Sequence, residues 1–174
     1  MIKGLHHAAY RCRDAEETRG FYEDFLGLPF TGALEIGETK TGRRTDVLHV
    51  FFQMGDGSHI AFFDDPSRPF DFKNQHDYDL HLALEVSEDH LMEMLEKGRA
   101  AGIETRGPAD HGFIRSIYFR DPNGYVVELT AKLPAHDAHL KPDNPEAYLS
   151  RATVYVYTGE RDKAQRDLSR VYNL

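Results

Sequence analysis

One structural unit is written twice along this chain, and that repetition restricts the fold more than any other feature. The segment GLHHAAYRCRD alternates as a half-buried strand does, and DAEETRGFYEDFLGL then places Phe21, Tyr22, Phe25 and Leu26 on one helical face. Asp14 fits a helix N-cap, Glu16 and Glu17 occupy the first turn, and Gly27 is a stop signal. Extended runs follow: LPFTGALEI, TDVLHVFFQM and, beyond the hairpin turn Gly55-Asp56-Gly57, SHIAFFD. The order then restarts. DLHLALEVSED is a strand, and DHLMEMLEKGRAAGI is a helix with Leu91, Met94 and Leu95 on its apolar face. A short strand near IETRG, the strand FIRSIYFR, the turn DPNG and the strand YVVELTA complete the second copy. His7 lies seven residues before Asp14 and His81 seven before Glu88, so each copy carries a histidine at the same place.

A strand–helix–three-strand unit covers one face of its sheet with the helix and leaves the other to be closed by a second unit. The prediction is an α+β fold: paired βαβββ modules, about 1–70 and 77–132, forming a curved mixed sheet around a cavity. Residues 1–132 make that domain. A proline-rich polar linker, 133–144, leads to a helical hairpin over 145–174. There Tyr148, Ala152 and Tyr155 keep helical spacing, Thr158-Gly159 breaks it, and Ala164, Leu168 and Val171 resume it. The hairpin resembles a single tetratricopeptide-type repeat, with an ordinary C-terminal helix pair as the alternative. A lone repeat needs a surface to dock on, either the core or another subunit.

Composition removes several partner classes. A formal charge of −8 without a basic cluster argues against nucleic acid and anionic membrane. No apolar stretch approaches a bilayer span, and the N-terminal MIKGLHHAAY has no signal-type apolar region, so a cytoplasmic location is expected. Cys12 is the only cysteine, which excludes an intrachain disulfide and thiolate metal clusters.

Period-2 geometry sets which side chains share a face. Leu5, His7, Ala9 and Arg11 do so on the first strand, His81, Ala83 and Glu85 on the strand of the second copy, and Val126, Glu128 and Thr130 on the last strand. Val127 and Leu129 fall on the opposite face and suit packing under a helix. His7, His81 and Glu128 are therefore expected to aim into one trough as metal ligands. Packing or solvated roles are the alternative for any one of them. Two imidazoles and a carboxylate leave open positions on a metal, which suits Fe(II) and can also take Mn(II). A buried carboxylate facing two histidines is costly to keep without a cation.

The segments HHAAYRCRD, FYEDFLGL, HLALEVSED and RSIYFRDPNGYVVEL resemble the vicinal oxygen chelate superfamily, over residues 1 to about 132. That superfamily includes glyoxalases, bleomycin-resistance proteins, fosfomycin thiol transferases and type I extradiol dioxygenases. Glyoxalase-type isomerases expect a fourth ligand where this chain has Ala61, which counts against a four-ligand isomerase unless His59, two residues away on the same face, substitutes. Bleomycin-type proteins do without the metal triad, and fosfomycin transferases need a Lys/Arg cluster that the sequence does not mark. The resemblance is nearest to the extradiol enzymes. It implies catalytic roles for Tyr118, ten residues before Glu128, for His111 of the pair His111-Gly112, and for His59 near the end of the first copy. The His111-to-Tyr118 gap is two residues shorter than the pattern. A sheet aromatic is the alternative reading for Tyr118, and a packing or solvated histidine for His111 and His59.

The expectation is an Fe(II) ring-cleaving dioxygenase acting with O2 on a small dihydroxylated aromatic, as a homodimer. An isomerase, lyase or thiol transferase using Mn(II), Ni(II) or Zn(II), or a non-catalytic small-molecule binder, is the alternative.

Overall fold

Each copy of the repeat builds its own four-stranded sheet. The computed structural model describes residues 1–74, 76–141 and 145–172. The first sheet contains β1 (His7–Cys12), β2 (Phe30–Glu38), β3 (Arg44–Gln53) and β4 (His59–Asp64), in the order β1-β4-β3-β2. The second contains β5 (His81–Glu85), β6 (Thr105–Asp110), β7 (Ile114–Arg120) and β8 (Val126–Lys132), in the order β5-β8-β7-β6. In both, the first strand runs parallel to the last and the other pairs are antiparallel. The predicted modules are thus present. They form two four-stranded mixed sheets, with no strand of one hydrogen-bonded to the other among the described residues.

Helices cover the inner faces. Helix α1 (Ala15–Arg19) starts at Asp14, whose side chain accepts from the Glu17 amide at 2.8 Å. The chain then widens into a π-helical segment, Gly20–Phe25, where the Leu26 amide reaches the Phe21 carbonyl at 2.9 Å. The wider winding, absent from the sequence reading, buries Phe21, Tyr22 and Phe25 together. Helix α2 (Glu88–Ala100), capped by Ser87, buries Leu91, Met94, Leu95 and Gly98. Gly98 is where helix meets sheet most closely: a Cβ there would lie 2.5 Å from both the Phe119 ring and Thr105 Oγ1.

The inner faces of both sheets belong to one core. Phe52, Ile60 and Phe62 of the first sheet join Ile117, Phe119, Val127 and Leu129 of the second, with Phe25 edge-on to Phe119 at 5.2 Å. Hydrogen bonds reinforce this junction at the DPNG turn. Asn123 Oδ1 accepts from the Arg13 amide at 2.8 Å, and the Tyr125 hydroxyl donates to the Arg11 carbonyl at 2.8 Å. Gly124 holds the turn at φ +95°, with its α-carbon so close to Lys73 that a Cβ would meet backbone at 2.5 Å.

The expected linker is partly helical: α3 (His136–His139) follows β8, while residues 142–144 lie outside the described residues. Helices α4 (Pro145–Tyr157) and α5 (Arg161–Tyr172) pack on each other through Ala152 and Ala164, and Arg151 pairs with Asp167 at 3.0 Å. Residues 173–174 of the expected hairpin also lie outside the described residues. No described helix is long and apolar enough to cross a membrane.

Candidate metal centre

The outer face of the second sheet gathers four of the six candidate residues. Pairing of β8 with its neighbours sets Glu128 between Ala83 of β5 and Tyr118 of β7. Alternation turns Leu84, Val127 and Leu129 into the core and leaves His81, Ala83 and Glu85 exposed. His81 Nε2 is in contact with Glu128 Oε2, and Glu128 is only 6% exposed. The Tyr118 ring stands edge-on to His81 at 5.8 Å, and its hydroxyl shares a 3.0 Å hydrogen bond with His111 Nε2. Burial raises the Tyr118 pKa, and the negative charge of Glu128 adds to that shift. The nearby arginines are engaged: Arg106 and Arg120 both pair with Asp77, and Arg120 also binds Glu104.

The other two candidates lie on the first sheet. His7 and His59 are partners across β1 and β4, and the same register aligns Ala9 with Ala61 and Arg11 with Phe63. Strand β3 adds Phe51 and His49 to this face, 5.9 and 6.1 Å from the His7 ring. His6, outside the strand, shares a 2.8 Å hydrogen bond with His7 through their Nδ1 atoms. His49 escaped the sequence reading. It is buried, stacked on Phe63 at 3.7 Å, and its Nδ1 donates to the Phe62 carbonyl at 3.1 Å. Its signal was there to find: a single histidine in the apolar run VLHVFF, in register with the His59 strand. Arg11 Nη2 donates to the Arg68 carbonyl at 3.2 Å, whereas its buried Nε has no hydrogen-bond partner among the described residues.

His7, His81 and Glu128 therefore do not meet within one chain. Among the described residues no group of three or more His, Cys, Asp and Glu side chains is placed to hold a metal. The reason lies in the packing. Both sheets spend their inner faces on one shared core, so neither outer face has the other sheet across from it. His7, Ala9, His81 and Ala83 remain exposed. The His81–Glu128 pair thus lies on one sheet, and His7 at the repeat-equivalent position lies on the other.

Comparison with known proteins gives this architecture its context. A model of the Glyoxalase/Bleomycin resistance protein/Dioxygenase superfamily matches residues 4–129, which spans both modules. The chain belongs to that superfamily. Helices α3 to α5 fall outside the matched range. A metallothiol transferase FosB from Shouchella clausii (strain KSM-K16) is 28% identical over 158 residues, covering 84% of this chain and 92% of that protein. A biphenyl-2,3-diol 1,2-dioxygenase 2 from Rhodococcus globerulus is 35% identical over 60 residues, 34% of this chain and 29% of that enzyme. The crystal structure of the fosfomycin resistance protein FosX from Listeria monocytogenes, complexed with Mn(II) and sulfate, superposes with a TM-score of 0.58. It is 22% identical, over 79% of this chain and 99% of FosX, which speaks for the shared fold.

Proposed function

We propose that the chain is a divalent-metal enzyme whose centre is shared between two copies, with His7 from one and His81 and Glu128 from the other. The observation that carries this reading is the His81–Glu128 contact on one uncovered sheet face, with His7 at the repeat-equivalent position of the other. A two-fold pairing of chains would complete two such centres at once. The donor chemistry fits, since two imidazoles and a nearly buried carboxylate form a nitrogen–oxygen set suited to Fe(II) and open also to Mn(II), Ni(II) or Zn(II). Held by His7, His81 and Glu128, a bound metal would supply Lewis acidity to oxygen atoms of the substrate.

For the reaction we infer extradiol-type cleavage of a small dihydroxylated aromatic with O2. Tyr118 and His111 support it. A hydroxyl and an imidazole joined at 3.0 Å beside Glu128 can take a proton from a substrate hydroxyl and return one later. In this reading His59, His49, Phe51 and Phe63 form the facing wall, an aromatic surface suited to a flat ring. Arg106 and Arg120, already held by carboxylates, are poorly placed to receive a phosphonate. The 60-residue similarity to the biphenyl-diol dioxygenase agrees with ring cleavage.

A second reading, thiol transfer to an anionic epoxide, is favoured by the similarity to FosB and by the Arg11 guanidinium. That group lies on the same strand as His7, and its buried Nε has no hydrogen-bond partner among the described residues.

Metal content, O2 uptake with catechol and hydroquinone, and anaerobic thiol consumption with an epoxy-phosphonate test the two readings side by side. Stoichiometric metal with O2 uptake is expected. Stoichiometric metal with anaerobic thiol turnover and no uptake would replace ring cleavage by the second reading.

A further inference from the structure

His6 stands one residue before β1, and strict alternation would send its side chain away from that of His7. Its ring turns to His7 instead, with centroids 5.0 Å apart and 76° between planes. The backbone at this point is fixed, since the His59 amide donates to the His6 carbonyl at 3.0 Å and ties the residue to β4. The result is a pair of imidazoles whose Nδ1 atoms are 2.8 Å apart. Two imidazole nitrogens bound to one ion at a right angle, each at about 2.0–2.1 Å, lie about 2.9 Å from each other. The observed separation is that of a chelating pair. Both residues are exposed, so turning the rings from each other towards an ion costs little packing.

We propose that His6 is a further metal ligand, chelating together with His7 through the paired Nδ1 atoms. The proposal rests on the reading of His7, His81 and Glu128 as one centre, and it enlarges that donor set to three imidazoles and one carboxylate. The enlargement changes which ion is favoured. Imidazole suits Ni(II), Cu(II) and Zn(II), whereas oxygen donors suit Mn(II). His6 therefore draws the centre towards the nitrogen-preferring ions and away from Mn(II). A solvent-exposed hydrogen bond between two rings contributes little to stability, so His6 can be removed without disturbing the fold.

The untagged full-length wild type, H6A, H7A and H81A are titrated with Ni(II) and with Mn(II) by calorimetry. The number of coordinating nitrogens is read from the Cu(II)-loaded chains by electron paramagnetic resonance. H6A should bind Ni(II) at least about tenfold more weakly, the scale on which even indirect metal partners act. Its Mn(II) affinity should change less, and its Cu(II) spectrum should lose one nitrogen. H7A and H81A should lose Ni(II) binding as well. An unchanged Ni(II) affinity or an unchanged nitrogen count in H6A overturns the proposal. If H7A and H81A still lose the ion in that case, the three-ligand centre stands without His6. Loss in H6A and H7A with full binding in H81A upholds the His6–His7 chelate and overturns the shared centre. A wild type that binds no Ni(II) overturns both.

Discussion

The Tyr22 hydroxyl donates to the Asp121 carboxylate at 3.0 Å, linking the first module's π-helical segment to the second module's DPNG turn. Both groups are buried, Tyr22 at 1% exposure and Asp121 at 2%. Asp121 also accepts from the amides of Asn123 and Tyr125, at 2.9 and 2.8 Å, and from Asn123 Nδ2 at 3.1 Å. Tyr22→Phe keeps the ring packing and withdraws one donor from a buried carboxylate, which should cost about 1–3 kcal/mol. Urea denaturation checks this, and an unchanged midpoint would show that the bond contributes nothing net.

The same carboxylate gives stability a pH dependence of predictable sign. Burial raises the Asp121 pKa above its usual value despite four hydrogen bonds. Between the unfolded value and that raised one, the folded chain keeps a proton that the unfolded chain releases, so stability falls as pH rises through the window. Asp77 works in the opposite sense. Arg106 and Arg120 hold its pKa down, so its contribution is present above the unfolded value and lost on acidification through the lowered one. D121N should remove the first slope and leave the second. Unfolding free energies measured from acidic to neutral pH for D121N and the wild type would show it as a difference that changes across the window; a constant offset would contradict the assignment.

Gly98 offers a test of packing at the contact between α2 and the second sheet. In place of its hydrogen, a methyl group would meet the Phe119 ring and Thr105 Oγ1 at 2.5 Å. Alanine has the better helix propensity by about 1 kcal/mol. Overpacking of a tight helix–sheet contact costs about 1–3 kcal/mol, so G98A should destabilise on balance. A rise in thermal midpoint would mean that Phe119 yields easily.

The sequence made legible what depends on local periodicity. Strand alternation placed Val127 and Leu129 under a helix and Glu128 on the other face, and the Asp14 cap was readable from one residue and its neighbours. The π-helical segment was not, because Phe21, Tyr22, Phe25 and Leu26 also fit an ordinary helical face, and only packing against Phe52, Phe62 and Phe119 selects the wider winding. Helix α3 was hidden in a polar stretch, since its contact is with Phe113, far away in sequence. The largest difference concerns His7. Equivalent positions in a repeat say that two residues have the same local environment, whereas their meeting depends on which module faces which. Two βαβββ units of one chain can share a core and still present their outer faces to another chain.

That distinction can be tested without a structure of the assembly. H7A and H81A should each lose metal-dependent activity as homodimers. In a mixed dimer, one centre would combine both lesions. The other would draw His7 from the H81A chain and the His81–Glu128 pair from the H7A chain, and so be intact. If mixing is random, half of the dimers are mixed and each carries one working centre of two, so about a quarter of wild-type activity should return. A centre built within one chain predicts no recovery at any ratio, because every centre would then contain one of the lesions. Co-unfolding and refolding the two variants and following metal content together with turnover reads the answer, and the absence of recovery in both would end the shared-centre reading.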